Sequence, residues 1–387
     1  MEKRTIAEIN HYEGVTVNPL VSPDTLYELY SVPSFEAKYP EIIKGCQIGS
    51  SKITVEEGDV LICKINPRIN RVWVVKHHTD HELLASSEWI VVRNKSMDSN
   101  YLKWYFSSPK FRKLLTSQVA GIGGSLTRAQ PKQVSKYDVP IVCIEEQHRI
   151  ATVLDKVSDL IAKRRQQLDK LDLLVKSKFV EMFGDPENNT KNWISGTIGQ
   201  VTKSCESGWS GKGVQRPKKS GEIAVLKVSA VTKGFFIPEE CKVLDDQKDI
   251  KKYVFPQKGD LLFSRANTRE MVGATAFIWD DYPELILPDK LWKIRFHSTA
   301  NTLYMKYILS SSSIRSKISA ASTGTSGSMY NVSMDKFKSI IVPLPPLGLQ
   351  NEFAKFVEQT EKTKTSISQS LEKLETLKKA LMQEYFG

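Results

Sequence analysis

The sequence predicts an α+β protein made of two pseudo-symmetric globular α/β domains separated by an antiparallel two-helix coiled coil. Three observations predict it. The chain matches itself at an offset near half its length, each half mixes short β-branched runs with amphipathic helical stretches, and each half closes with a long, narrow apolar stripe ending in Phe-Gly.

The repeat is the strongest of the three. "VEMFG" at 180–184 resembles the chain end "QEYFG" at 383–387, and 387 − 184 gives an offset of 203. The same shift takes Gln147 to Gln350, Pro140 to Pro343, Gly124-Ser125 to Gly327-Ser328, Tyr101-Leu102-Lys103 to Tyr304-Met305-Lys306, and Trp89 to Trp292. Upstream, Gly58-Asp59 in "EEGDVLICK" meets Gly259-Asp260 in "QKGDLLFSR" at 259 − 58 = 201, which implies a two-residue indel between.

Within each globular part, "DVLICKI", "VWVV", "EWIVV", "DLLFS" and "LWKIRF" read as strands bounded by Gly, Asp, Asn and Pro. "SNYLKWYFSSPKFRKLLTS" and "NTLYMKYILSSSSIRSKIS" read as amphipathic helices.

After each globular part the period lengthens. Ile150, Leu154, Val157, Ile161, Leu168, Leu171 and Val175 recur at spacings of four and three, apart from Arg164 in the series. That is the heptad pattern of a helix burying one stripe against another helix. The second copy is Phe353, Val357, Thr360, Lys364, Ile367, Leu371, Leu374 and Leu381, weaker at Thr360 and Lys364. Proline precedes both helices and glycine ends both. From Gln147 to Gly184 is 184 − 147 + 1 = 38 residues, a rod of roughly 55 Å. The second helix can bury its stripe by running back along the first, which makes the pair antiparallel. The expected divisions are globular domains at 1–143 and 185–346, with spacer helices at 144–184 and 347–387.

Charge then separates the parts. The chain carries a net +11, yet Lys+Arg minus Asp+Glu is 8 − 7 = +1 over 145–184 and 6 − 6 = 0 over 347–387. The excess therefore lies in the globular parts. Two basic modules on a neutral spacer suit a polyanion such as duplex DNA, on one face of which two readers stand about one helical turn, roughly 34 Å, or a multiple of it, apart. No run approaches a membrane span, and "MEKRTIAEINHYEG" lacks the apolar core of a signal peptide, so a cytoplasmic protein is expected. The five cysteines are scattered and odd in number, against a disulfide framework.

Several chemistries lack their residues. "GWSGKG" has neither the spacing nor the final Ser/Thr of a phosphate loop. "HHTDH" (His77, His78, His81) has no further ligand at metal-like spacing, and exposed histidines beside strands explain it better. There is no Asn-Pro-Pro-Tyr-like segment, no Gly-rich cofactor loop, and no nuclease or hydrolase constellation. A non-enzyme with no metal is expected.

The duplicated plan resembles the specificity (S) subunits of type I restriction-modification enzymes over nearly the whole chain. In that family each target-recognition domain is followed by a helical spacer that opens on a Pro-Leu-Pro-Pro-Leu-x-Glu-Gln-like segment. Here the segment stands as "VPLPPLGLQ" (342–350) and "VPIVCIEEQ" (139–147), with Val142 and Cys143 replacing the double proline in the first copy and Leu349 replacing Glu in the second. Gln147 and Gln350 remain. The Gly-Asp strands and the Gly-Ser pairs also look like that family's pattern. The resemblance implies a non-catalytic reader of a bipartite double-stranded DNA site. Its coil would set the gap and dock two methyltransferase (M) subunits, and a restriction (R) subunit would join them. S-adenosylmethionine would be held by M, so this chain needs no cofactor. A structural adaptor whose basic modules hold protein or RNA partners is the alternative.

Base reading needs Arg, Lys, Asn or Ser/Thr on projecting loops. The turn after the Gly-Asp strand supplies Lys64, Asn66, Arg68, Asn70 and Arg71 in one half and Arg265, Asn267 and Arg269 in the other. The same Asn residues would also suit plain turns. "GWSGKGVQRPKKSG" offers Lys212, Arg216, Lys218 and Lys219, or is a solvated loop. The Gly-rich pair offers Ser125, Thr127 and Arg128, and Ser326, Tyr330 and Asn331, where glycines let amides approach phosphates or simply make flexible turns.

Overall fold

The computed structural model describes residues 2–117, 119–120, 127–245, 250–324 and 329–387. The chain divides into two units, Met1–Gln166 with Ser368–Gly387, and Gln167–Ile367, so each unit takes part of both long helices.

The first unit begins with strand Glu2–Thr5 and helix α1 (Ile6–Ile9). Thr5 starts that helix because its hydroxyl accepts from the Glu8 amide at 3.3 Å while the Glu8 carboxylate accepts from the Thr5 amide at 2.6 Å. Glu2–Thr5 pairs antiparallel with Asp138–Ile141, the strand that feeds the spacer helix. Between them lie a mixed five-stranded sheet and an antiparallel three-stranded sheet in the order Val72–Val74, Val60–Cys63, Trp89–Val92. In the five-stranded sheet, Leu26–Tyr30 pairs parallel with Glu82–Ala85. Helices α2 (Ser99–Phe106), α3 (Pro109–Ser117) and α4 (Pro131–Val134) follow, then α5 (Ile144–Phe183).

The second unit repeats this order. Strand Ser195–Thr197 pairs with Ile341–Pro343, and α6 (Ile198–Val201) opens on a second capping box between Thr197 and Gln200. An antiparallel four-stranded sheet runs Thr202–Ser207, Leu291–Phe296, Leu261–Ser264, Thr275–Phe277. A second four-stranded sheet holds the parallel pair Ala224–Leu226 with Leu285–Ile286. Helix α7 (Ser229–Thr232) follows strand Ala224–Leu226 and packs on strands Leu261–Ser264 and Thr275–Phe277; after the last strand of the sheets come α8 (Thr302–Ser310), α9 (Ser312–Ala321), α10 (Met334–Lys338) and α11 (Leu347–Phe386). Thr5 and Thr197 extend the repeat to the first strand, and the second unit has nine more residues before its Gly-Asp turn: 58 − 5 = 53 against 259 − 197 = 62.

Two details differ from the sequence expectation. The helices expected over 99–117 and 301–319 are each two. In the first, Ser108 Oγ accepts from the Phe111 amide at 3.1 Å and Pro109 takes the first helical position, where a missing N–H is harmless. Trp89 is not the counterpart of Trp292. Cys63 opposes Trp89, whereas Phe263 opposes Trp292, so Trp292 corresponds to Ile90 and faces the other side of its sheet. A one-residue slip in a strand reverses every side chain. Accordingly Trp89 packs with Leu61, and Trp292 stacks on Phe263 at 5.5 Å.

The Gly-Asp turns are buried charge anchors. Asp59 receives two hydrogen bonds from Arg93, both at 2.7 Å, and caps the Glu56 amide at 2.8 Å. Asp260 receives Arg295 at 2.6 Å, lies 3.2 Å from Lys293 Nζ, and caps the Gln257 amide at 2.8 Å.

Each unit closes on its pieces of the long helices. In the first, Ile150, Ala151 and Leu154 share a core with Met382 and Phe386, and Arg165 meets Glu375 at 2.6 Å, so the two segments run antiparallel. In the second, Phe179 packs on Phe353 at 5.4 Å and Lys364 meets Asp172 at 2.8 Å, again antiparallel. Burial opposes the charge on Lys364, but hydrogen bonds with Asp172 and Glu361 hold its pKa above the ordinary lysine value. That ion cluster explains the polar break in the second heptad series. The Phe of each Phe-Gly end has a defined seat: Phe386 lies 5.6 Å from the Tyr101 ring and Phe183 lies 4.8 Å from that of Tyr304. Burying each contributes roughly 1.5–3 kcal/mol. Gly184 ends α5 at φ +77, a conformation that glycine adopts without strain.

The shared glutamines lock the helix starts. Gln147 accepts from the Asp98 amide at 2.9 Å and donates to the Val142 carbonyl at 2.8 Å. Gln350 accepts from the Asn301 amide at 2.9 Å and donates to the Pro345 carbonyl at 2.7 Å. Tyr101 and Tyr304 donate to the carbonyls of Pro140 and Pro343. Among the described residues no helix is long and apolar enough to cross a membrane.

Candidate nucleic-acid interface

In the first unit the chain leaves strand Val60–Cys63 into a loop that folds back on itself. Asn66 and Asn70 take left-handed backbone angles, φ 47 and 52, on either side of a single 3-10 turn at Pro67–Ile69. Asparagine tolerates this region better than most residues. Pro67 is buried, so Arg68 and Ile69 project into solvent. The loop is pinned by three backbone bonds: Lys64 N–H to Glu88, Ala129 N–H to Lys64, and Asn66 N–H to Thr127. Ile65 also bridges Arg128.

The second unit builds the same joint. Arg265 N–H donates to the Lys290 carbonyl and Val332 N–H to that of Arg265. Ala266 pairs with Asn331 and Asn267 with Tyr330. Arg269 lies 5.8 Å over the Tyr330 ring, and Arg265 Nε donates to the Asp289 carbonyl at 3.1 Å.

Two of the three sequence-nominated stretches thus come together in each unit. Lys64, Asn66, Arg68, Asn70 and Arg71 stand beside Thr127 and Arg128, and Arg265, Asn267 and Arg269 stand beside Tyr330 and Asn331. Ser125 and Ser326 lie outside the described residues, as do the Gly-Ser pairs. Arg128 meets Glu88 at 3.0 Å, Arg71 meets Glu36 at 3.6 Å, and Arg68 is exposed.

The third stretch is a separate structure on an edge strand, Gly213–Val214, of the second four-stranded sheet. Arg216 grips Glu222 through two 2.7 Å bonds and Lys218 meets Glu284 at 3.0 Å. The Arg216 guanidinium and the Lys219 amide pull the Glu222 carboxyl down to about 2. Arg216 and Lys218 are therefore engaged within the fold, while Lys212 and Lys219 are exposed.

One position escaped the sequence reading. Glu88 and Lys290 occupy the same place in the two joints, each accepting the backbone bond that starts the loop, with opposite charge. Aligning the two strands in their true register, one residue off the tryptophan match, would have revealed it.

The chain matches the family model for the type I restriction modification DNA specificity domain twice, over residues 2–172 and 190–376. It is 26% identical over 205 residues to the type I restriction enzyme EcoEI specificity subunit of Escherichia coli, a match covering 51% of this chain and 34% of that protein. It is 23% identical over 312 residues to the EcoKI specificity subunit of E. coli K12, covering 76% and 66%. The chain thus spans about a third of the first relative's length and 66% of the second's. The MjaVIII specificity subunit of Methanocaldococcus jannaschii is 22% identical over 88% of this chain and 80% of its own length. Among solved structures, a type-I restriction-modification system S subunit from M. genitalium superposes with a TM-score of 0.60 at 12% identity, covering 100% of this chain and 96% of that one. A chain from a study of complex assembly and conformational transition of the type I R-M system gives 0.57 at 16%, covering 100% and 97%. These likenesses establish a shared fold. With both halves matched, the chain belongs to the type I restriction modification DNA specificity domain family.

Proposed function

We propose that this chain is the non-catalytic, sequence-reading subunit of a type I restriction-modification complex. Its two recognition domains, at 1–143 and 185–346, each read one half of a bipartite duplex DNA site. The spacer helices at 144–184 and 347–387 set the gap between halves and dock two methyltransferase subunits, with a restriction subunit completing the assembly. Work on chromosomal DNA makes the cytoplasm its setting. The methyl donor, S-adenosylmethionine, belongs to the methyltransferase.

One observation carries this reading. The two joints share their frame, Asp59 with Asp260 and Gln147 with Gln350, yet differ at their tips: Lys64–Arg71 against Arg265–Arg269, and Glu88 against Lys290. A shared frame with divergent tips is what two readers of different half-sites require, because the frame positions the loop and the tips meet base edges. A structural adaptor would have no need of that divergence. The test substitutes Arg68→Ala and Arg269→Ala separately in the complex with the methyltransferase, and sequences the duplexes each methylates. The expected result is relaxed preference in one half-site for the first and in the other for the second, at about 1–3 kcal/mol for each base interaction removed. Methylation blind to sequence in the unsubstituted complex would favour the adaptor.

A further inference from the structure

The two recognition units differ in how much cationic surface flanks their joints. Residues 99–137 contain no Asp or Glu, and residues 302–334 contain none either. In the first unit that acid-free stretch exposes Arg112, Lys113, Lys132 and Lys136. None of the four makes an ion pair among the described residues. They sit on one assembled piece: the Tyr137 hydroxyl donates to the Leu114 carbonyl at 3.0 Å and its ring lies 6.1 Å from Phe111, tying α4 to α3. Helix α3 in turn packs on the 3-10 turn that bears Arg68.

The second unit has the same piece without the same charge. At the offset fixed by Tyr101 and Tyr304, 304 − 101 = 203, the four positions become Arg315, Ser316, Asp335 and Ser339. Arg315 turns inward and donates to the Glu270 carbonyl at 2.5 Å. Two serines, an aspartate and an engaged arginine thus stand where the first unit has four unpaired cations; Lys317, Lys336 and Lys338 remain on the second unit's piece, so its charge is reduced and not absent.

We infer that the α3–α4 face of the first unit is a clamp on the DNA phosphate backbone, so that the two recognition units grip duplex DNA unequally. This rests on the DNA-reading function proposed above and assigns the face a role separate from base reading. Lysine and arginine on a helix flank make point contacts to phosphates, which fix register and carry no sequence information. The second unit relies correspondingly more on its tip contacts.

The test uses the full-length chain, Lys113→Ser with Lys136→Ser, because serine is what the second unit holds at both places. Affinity is measured against salt for a random-sequence duplex and for a duplex enriched by selection. Each phosphate interaction removed lowers the slope of log K against log salt by about 0.9, so the double variant drops it by roughly 1.8 and weakens both duplexes equally, by up to about 60-fold at 0.1 M salt. The matched control, Lys163→Ser with Lys170→Ser on the charge-balanced helix α5, leaves the slope in place. The reverse variant, Ser316→Lys with Ser339→Lys, steepens it. An unchanged slope in the first variant, or a loss confined to the enriched duplex, overturns the clamp while leaving the DNA-reading function standing. Absence of salt-dependent duplex binding by the unsubstituted chain also overturns the clamp, whereas the DNA-reading function is overturned only by methylation blind to sequence in the complex.

Discussion

Replacing Gln350 by leucine should loosen the start of the second spacer helix. The side chain is 1% exposed and makes two hydrogen bonds, accepting from the Asn301 amide at 2.9 Å and donating to the Pro345 carbonyl at 2.7 Å. Leucine fills the space but leaves a buried N–H and a buried C=O without partners, each costing about 1–3 kcal/mol. The apolar gain of the new side chain offsets roughly 1 kcal/mol. A net loss of about 1–5 kcal/mol is expected, read as a shift in urea midpoint at constant slope. Gln147→Leu should cost a similar amount in the first unit. The isosteric Gln350→Glu supplies a pH signature. A buried carboxylate facing the Pro345 carbonyl has its folded-state pKa raised above the unfolded value. Stability is then fully present below about pH 4 and is lost as the pH rises through the raised value, since the neutral acid can still donate to Pro345. If both leucine variants lose less than about 0.5 kcal/mol, the glutamine clamp does not hold the helix starts.

Other expectations follow from the same geometry. Asp260→Ala strands the buried Lys293 ammonium and should cost about 3–5 kcal/mol by denaturant melt, far more than a surface aspartate such as Asp24. Glu222, drawn down to about 2, should stay ionised in a carboxyl NMR titration until the pH falls toward that value, and Arg216→Ala should return it toward the ordinary range. Because that pKa is depressed, whatever stability the pair contributes is present above the ordinary carboxylate range and is lost as the pH falls through the folded value. Removing one heptad from each spacer helix, in register, should shorten the gap in the methylated site while both half-sites persist. Altered half-sites at constant gap would mean the helices are not the ruler.

Much of this was legible in the sequence because it is periodic. The strands Val60–Cys63 and Leu261–Ser264, the two long helices and the doubled plan all leave local patterns, and a repeat tests each pattern twice. What escaped was pairing at a distance. The capping boxes at Thr5 and Thr197 belong to the repeat, but the second unit's nine additional residues hide the match. The tryptophans at 89 and 292 misled because similarity outweighed register, and strand register is set by a partner strand that local reading does not see. Arg216 and Lys218 looked available for DNA because nothing local announces that Glu222 and Glu284 lie across from them. Conversely, the pairing of the Gly-Asp loops with the segments after the Gly-rich stretches could only be found in three dimensions. The divergence at Glu88 and Lys290 lies in the matching backbone bonds of the two joints, Lys64 N–H to Glu88 and Arg265 N–H to Lys290.

The most direct measurement is to present the chain, bound to its methyltransferase subunits and S-adenosylmethionine, with a randomised duplex library and to sequence the methylated molecules. Two short, different motifs separated by a gap of constant length are the predicted product. A single continuous motif, or methylation without sequence preference, would contradict the account of two readers held on one spacer.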